Sequence, residues 1–286
     1  MLIAQITDIH LGFDRDNPAE LNRQRLDAVI AVLNNGPNRP DLLVASGDLT
    51  DVGDIDSYNR LAEAFSRCSF PVHSCLGNHD DRDNFSACFP LVPVAQGFVQ
   101  YAVRAGPLRL VVLDTLEVGR HGGSFCTTRA QWLRQTLAED QTTPTVIVMH
   151  HPPVEVGIDW MNTYPEEPWV STFANAIEAA PNIKSIICGH IPRPVVVPWR
   201  GTAVTVCAST APQVTLDLSP MDPENPDNRP LIIADAPAFA LHWWNGRELV
   251  SHFETASDHG VLARFDEALQ PLIRQLIGER PAAKLS

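Results

Sequence analysis

Residues 2–10 read Leu-Ile-Ala-Gln-Ile-Thr-Asp-Ile-His, a short apolar run that ends in Asp8 and His10. The same design recurs along the chain. Leu42 to Ala45 leads into Gly47-Asp48, and Val72 to Leu76 into Gly77-Asn78-His79-Asp80. Leu108 to Leu113 ends at Asp114, Thr145 to Met149 at His150-His151, and Ile183 to Cys188 at Gly189-His190. Continuous apolar runs of this length suit strands buried on both faces. Helical periods lie between several of them. Leu21, Leu26, Val29, Ile30 and Leu33 share a face after the start signal Asn17-Pro18, and Ile55, Tyr58, Leu61, Ala62 and Phe65 do so behind Asp54. Thr128 and Gln131 have capping-box spacing before Trp132, Leu133 and Leu137. The alternation predicts a layered α/β fold. In open sheets of that kind, sites form at the carboxyl ends of the strands, where Asp, His and Asn here collect on one edge.

Beyond residue 190 the pattern changes. Val195 to Val197 with Ala203 to Cys207 reads as a hairpin, as does Ala238 to Trp244 with Leu249 to Phe253 around Asn245-Gly246. Residues 212–230 are rich in Pro, Asp and Asn and predict a solvated loop. Leu262, Phe265, Leu269, Leu272 and Leu276 predict a closing helix, with a kink or break at Pro271.

Composition limits the partners. The chain has 286 residues, 44% of them apolar, and 34 acids against 21 bases give a net charge of −13. Such a chain has no field for gathering polyanions, which argues against a nucleic-acid polymer. No apolar run reaches the roughly 18 residues of a membrane span. Met1 to Ala4 leads straight into Gln5, Thr7 and Asp8 without the basic part of a leader peptide, and the six cysteines form no C-x-x-C pair. Both features predict a cytoplasmic protein with reduced thiols.

Asp, His and Asn form the ligand set of two ions such as Mn, Fe, Zn or Co, and a carboxylate can touch both. The ordered motifs D-x-H, G-D, G-N-H-D, a strand-end His and G-H resemble the calcineurin-like metallophosphoesterase superfamily over roughly residues 1–210. His150-His151-Pro152-Pro153 is similar to its class III cyclic-nucleotide phosphodiesterases and their glycerophosphodiesterase relatives. The resemblance implies a four-layer α/β sandwich, with 1–210 as the catalytic domain. Residues 211–286 would be an extension of the same fold, built of hairpin and helix, and an oligomer interface. It implies Asp8 and His10 on the first metal, Asp48 bridging, and Asn78, His150 and His190 on the second.

One position departs from the pattern. The family ends its last motif G-H-x-H, whereas this chain has Gly189-His190-Ile191-Pro192, so the first site loses a ligand. The resemblance further implies His79 at the leaving group with Asp80 orienting it, while Asn78, His79 and Arg15 are candidate substrate contacts. The activity it implies is hydrolysis of small anionic phosphodiesters, cyclic AMP first, by metal-bound hydroxide in a homo-oligomer. A glycerophosphodiesterase or broad phosphodiesterase is the alternative, and a metal-impaired nucleotide-binding protein is the alternative of another class. His151 reads as a packing residue, Asp114 as a loop brace, and residues 154–170, with Trp160, Tyr164 and Trp169, as a candidate lid.

Overall fold

A computed structural model describes residues 1–280. Its first half runs β1 (Leu2–Ile6), α1 (Leu21–Asn35), β2 (Leu42–Ser46), α2 (Ile55–Ser66), β3 (Val72–Cys75), α3 (Arg82–Cys88), β4 (Tyr101–Ala105), β5 (Leu108–Val112) and α4 (Thr127–Glu139). The second half runs β6 (Thr145–Val148), α5 (Pro168–Ile177), β7 (Ile183–Cys188), β8 (Val195–Trp199), β9 (Thr202–Val206), β10 (Gln213–Val214) and β11 (Ile232–Ile233). It closes with β12 (Ala238–Trp244), β13 (Leu249–Thr255) and α6 (Gln270–Gly278).

Two large sheets result, ordered β13-β12-β1-β2-β3 and β4-β5-β6-β7-β9-β8. Side chains alternate faces along a strand, and that alternation builds the layers. Leu110, Val112, Val146 and Val148 face the first sheet and share its core with α1 and α2 through Leu26, Val29, Leu61 and Phe65. Val111, Ile147, Ile186 and Val204 face outward onto Leu133, Leu137, Phe173 and Ile177 of α4 and α5. The order is therefore helices, sheet, sheet, helices, which is the four-layer α/β sandwich.

Both predicted hairpins form, and β12 pairs antiparallel with β1, so the second one extends the first sheet. The compact unit holding both sheets runs Met1–Ala256, and a separate unit begins at Ser257. Within that second unit α6 covers only Gln270–Gly278, with Pro271 in its first turn. A proline lacks the N–H that a helix interior needs, but that donor is spare in the first turn. The predicted capping box does not form either. Cys126 stands at the position before α4 with no capping side-chain hydrogen bond, and Thr128 lies inside the helix. No helix among the described residues is long and apolar enough to cross a membrane.

Candidate metal centre

The carboxyl ends of β1, β2 and β3 in one sheet and β6 and β7 in the other open onto one point. The chain must turn sharply there. Asp8, His10, Asp48 and His190 all have left-handed backbones, with φ of 48°, 46°, 48° and 68°. Each such non-glycine residue costs of order 1–3 kcal/mol and persists only where its surroundings impose it. The loops supply that constraint. The Asp8 N–H donates to the Gly47 carbonyl, His10 N–H to the Asp48 carbonyl, and His190 N–H to Asp8 Oδ2 at 3.0 Å.

Two glycines allow the approach. A Cβ on Gly77 would lie 2.3 Å from Asp48 Oδ1 and 2.7 Å from His150 Nε2, and one on Gly189 would lie 1.9 Å from Thr7 Oγ1.

Asp48 is the centre of the arrangement. Its Oδ2 lies 3.3 Å from His150 Nε2 and 3.8 Å from His10 Nε2, while Oδ1 accepts from the His79 N–H at 2.9 Å. Ligand-type atoms fall into three groups, each within 4.8 Å: Asp8, Asp48 and His150; His10, Asp48 and His79; and His150, His151 and His190. Asn78 adjoins them on the loop that holds His79. The His150 Nδ1 donates to the Ser46 carbonyl at 2.8 Å, which turns Nε2 inward toward Asp48 Oδ2. Both His150 Nε2 and Asn78 Oδ1 are buried without a hydrogen-bond partner. A buried acceptor left unpaired, as Asn78 Oδ1 is, costs roughly 1–3 kcal/mol, and a cation would satisfy it while replacing the proton that Asp48 holds on His150 Nε2. The residues present therefore fit divalent ions.

The charges are unequal. Burial raises the Asp8 carboxyl despite His150, whereas His150, His10 and His79 outweigh burial at Asp48 and hold it well below the usual range. Burial opposes a charge on His150, but Asp48 and Asp8 lift it to about 9. Burial and His150 together push His190 down to about 3, so its imidazole is neutral and free to ligate.

The expected role of Asp80 is not what the structure shows. Its buried carboxylate accepts from the N–H groups of Gly77 (2.9 Å), Leu49 (3.2 Å) and Thr50 (3.3 Å) and from the Tyr58 hydroxyl (3.0 Å). Those donors tie the second and third ligand loops together, and none belongs to His79. The His79 Nδ1 donates instead to the Asp51 carbonyl at 2.7 Å. Asp51, not singled out from the sequence, also places Oδ1 3.4 Å from His10 Nδ1. One residue therefore orients a ligand imidazole with its side chain and the candidate acid with its backbone. The available signal was a carboxylate three residues after Asp48. A second missed residue is His121, whose Nδ1 is 3.4 Å from Asn78 Nδ2 and whose carbonyl meets His151 Nε2 at 3.0 Å.

The other candidates brace the centre or lie away from it. His151 is buried with Nδ1 on Thr115 Oγ1 at 2.7 Å, so both ring nitrogens are engaged. Asp114 takes the Arg82 guanidinium in a fork at 2.7 and 2.8 Å and braces the loop. Arg15 is exposed and not in the wall of the cavity beside His10 and His79, whereas Pro192 is buried and in that wall. The segment expected as a lid packs elsewhere: Asp159 Oδ2 accepts from Met221 N–H at 2.7 Å, and Trp169 is buried in the α4–α5 core.

A sequence model for calcineurin-like phosphoesterases matches residues 1–194. The chain belongs to the calcineurin-like phosphoesterase family. A probable glycerophosphodiester phosphodiesterase of Arcobacter nitrofigilis is 25% identical to this phosphoesterase, over 88% of this chain and 92% of the relative. A probable cyclic nucleotide phosphodiesterase of Rhodopseudomonas palustris is 32% identical, over 76% and 81% of the two chains. In fold, the phosphoesterase is similar to a dimetal phosphatase from Danio rerio. The TM-score is 0.62 at 13% identity, covering 90% of this chain and 97% of the other.

Proposed function

We propose that the chain hydrolyses small phosphodiesters with two divalent transition metals, Mn or Fe before Zn or Co, and that 3',5'-cyclic nucleotides such as cyclic AMP are its first substrate. The observation that carries this reading is the buried Asp48 carboxylate, 3.3 Å from His150 Nε2 and 3.8 Å from His10 Nε2, with the buried Asn78 Oδ1 left without a hydrogen-bond partner. Asp8, His10 and Asp48 would hold one ion, and Asp48, Asn78, His150 and His190 the other. Bound there, the ions supply positive charge for the phosphoryl oxygens and acidify water. The residues themselves position and move protons. His79, fixed through Nδ1 on the Asp51 carbonyl, keeps Nε2 for the departing oxygen, as hydrogen-bonder or acid. Asp51 sets the His10 tautomer so that Nε2 faces the centre.

Two names among the relatives favour different arms on the phosphate, so glycerophosphodiesters are the second reading. The same proposal has the protein in the cytoplasm, where its six free cysteines fit a reducing compartment. It also has the protein as a homo-oligomer, the row Leu262, Phe265, Leu272, Leu276 and Ile277 being 50% exposed or more.

The test is metal stoichiometry together with turnover of cyclic AMP, glycerophosphoethanolamine and a chromogenic diester across a Mn titration. Turnover of cyclic AMP above the others supports the first reading, and of glycerophosphoethanolamine the second. A chain that binds nucleotide and hydrolyses nothing at saturating Mn is a binding protein instead.

A further inference from the structure

Beside the centre, on the side of His10 and His79, lies a cavity of about 650 Å³. That is within the roughly 300–1,000 Å³ of small-molecule sites. Its apolar wall is assembled from separate pieces of chain: Phe13 after β1, Leu21 at the start of α1, Pro192 after β7, Ala211 and Pro212, and Ile232 of β11. Phe13, Leu21 and Ile232 remain 75%, 56% and 55% exposed. Single exposed apolar residues are ordinary, but three that converge on one cavity next to a reactive centre form a patch that the fold itself does not cover.

The polar part of the wall is Asp14, Glu20 and Asp51, with Asn22 and, on the side of the centre, His10 and His79; among the described residues no Lys or Arg lines it. Glu20 is already engaged, accepting from the Gly12 and Asp14 N–H groups and pairing with Arg60. The geometry points to a binding site in this cavity for one ester arm of the substrate, an apolar or aromatic arm without negative charge, with the phosphoryl group at the metal centre. This rests on the phosphodiesterase reading. A polyhydroxylated arm such as glycerol loses its water against the apolar face of Phe13, Leu21, Pro192, Pro212 and Ile232, and its partners are confined to the Asp14, Asn22 and Asp51 side. A second phosphate on the arm meets Asp14 and Asp51 with no cation in the wall to offset them. Pro192 then has a role besides leaving a ligand position empty of imidazole. It forms part of the face that the arm packs on.

The experiment uses the Mn-loaded chain and the double variant Leu21→Gln/Ile232→Gln, both sites being more than half exposed, with melting curves to verify folding. Calorimetry gives dissociation constants for phenyl phosphate and glycerol 3-phosphate, which carry the same charge and differ in the arm. Steady-state kinetics gives kcat/KM for bis(p-nitrophenyl) phosphate and glycerophosphoethanolamine. The wild type is expected to bind phenyl phosphate at least about tenfold tighter than glycerol 3-phosphate, and the double variant to cut that preference roughly tenfold. Equal binding of the two monoesters, or a preference that the double variant keeps, overturns this inference. If no diester is hydrolysed, the phosphodiesterase reading fails instead, and the monoester ratio still decides the cavity.

Discussion

Pro192 and Gly77 show how single side chains tune the centre. Pro192 stands where the resemblance expects an imidazole, and Pro192→His is expected to bring a second tightly bound Mn and activity at lower Mn. Elemental analysis beside a Mn titration checks this; equal stoichiometry in both proteins would mean that another group already completes the site. Gly77→Ala acts by crowding, since the new methyl lies 2.3 Å from Asp48 Oδ1 and 2.5 Å from its backbone nitrogen. Both atoms belong to Asp48, the proposed bridging ligand, so we expect at least about a hundredfold loss of kcat/KM with reduced metal content, as shifts of this size at a catalytic group produce. The candidate ligand residues were legible in the sequence because each comes soon after its strand, where a parallel strand must end and turn. Asp51 was not, because its carboxylate acts on His10, a residue some forty positions earlier. Asp80 was misread for a related reason: sequence adjacency to His79 hides that its oxygens point back to Gly77 and Leu49.

Elements with strong local signals formed as expected. Asp54 caps α2, accepting from Ser57 N–H at 2.9 Å and from its hydroxyl at 2.8 Å. Asp54→Ala is expected to lower the unfolding free energy by about 1 kcal/mol without touching activity, measured by urea denaturation. Where the signal was weak the reading failed. β4 is an edge strand of mixed burial with no long apolar run, and α3 has only seven residues, too few to show a period. At α1 the Asn17-Pro18 pair lies ahead of the helix, and Glu20 precedes it with its carboxylate turned to the Gly12 and Asp14 N–H groups instead of capping. Propensity located these helices but did not choose their first residue, because loops carrying ligands claimed the nearby polar groups.

Between the sheets runs a buried polar link. His242 Nε2 donates to Gln5 Oε1 at 2.9 Å, its Nδ1 meets Ser251 Oγ at 2.7 Å, and Gln5 Nε2 donates to Ser46 Oγ and across to the Cys188 carbonyl at 2.8 Å. Burial, aided by His252, lowers the His242 imidazole from 6.5 to about 4. The unfolded chain therefore takes up this proton first as pH falls, and stability is lost from about pH 6.5 down to about 4. The contribution is about 2 kcal/mol at pH 5. The drop in unfolding free energy from pH 7.5 to 5, read from urea denaturation, should be smaller by that amount in His242→Gln; an identical drop would remove His242 as the cause.

The candidate ligand set is divided between the two sheets: Asp8, His10, Asp48 and Asn78 follow strands of the first, His150 and His190 strands of the second. Ions held by both sets would act as a rivet through the plane along which the sandwich could part. Loading at a thousand times the dissociation constant adds about 4 kcal/mol to stability. Chelation should therefore speed amide exchange at the ends of β1 and β7 together, one in each sheet, while the far ends of the same strands stay protected. A chelator would then loosen the protein along a seam before it unfolds it, and the speed of that loosening would report how tightly the two halves are fastened.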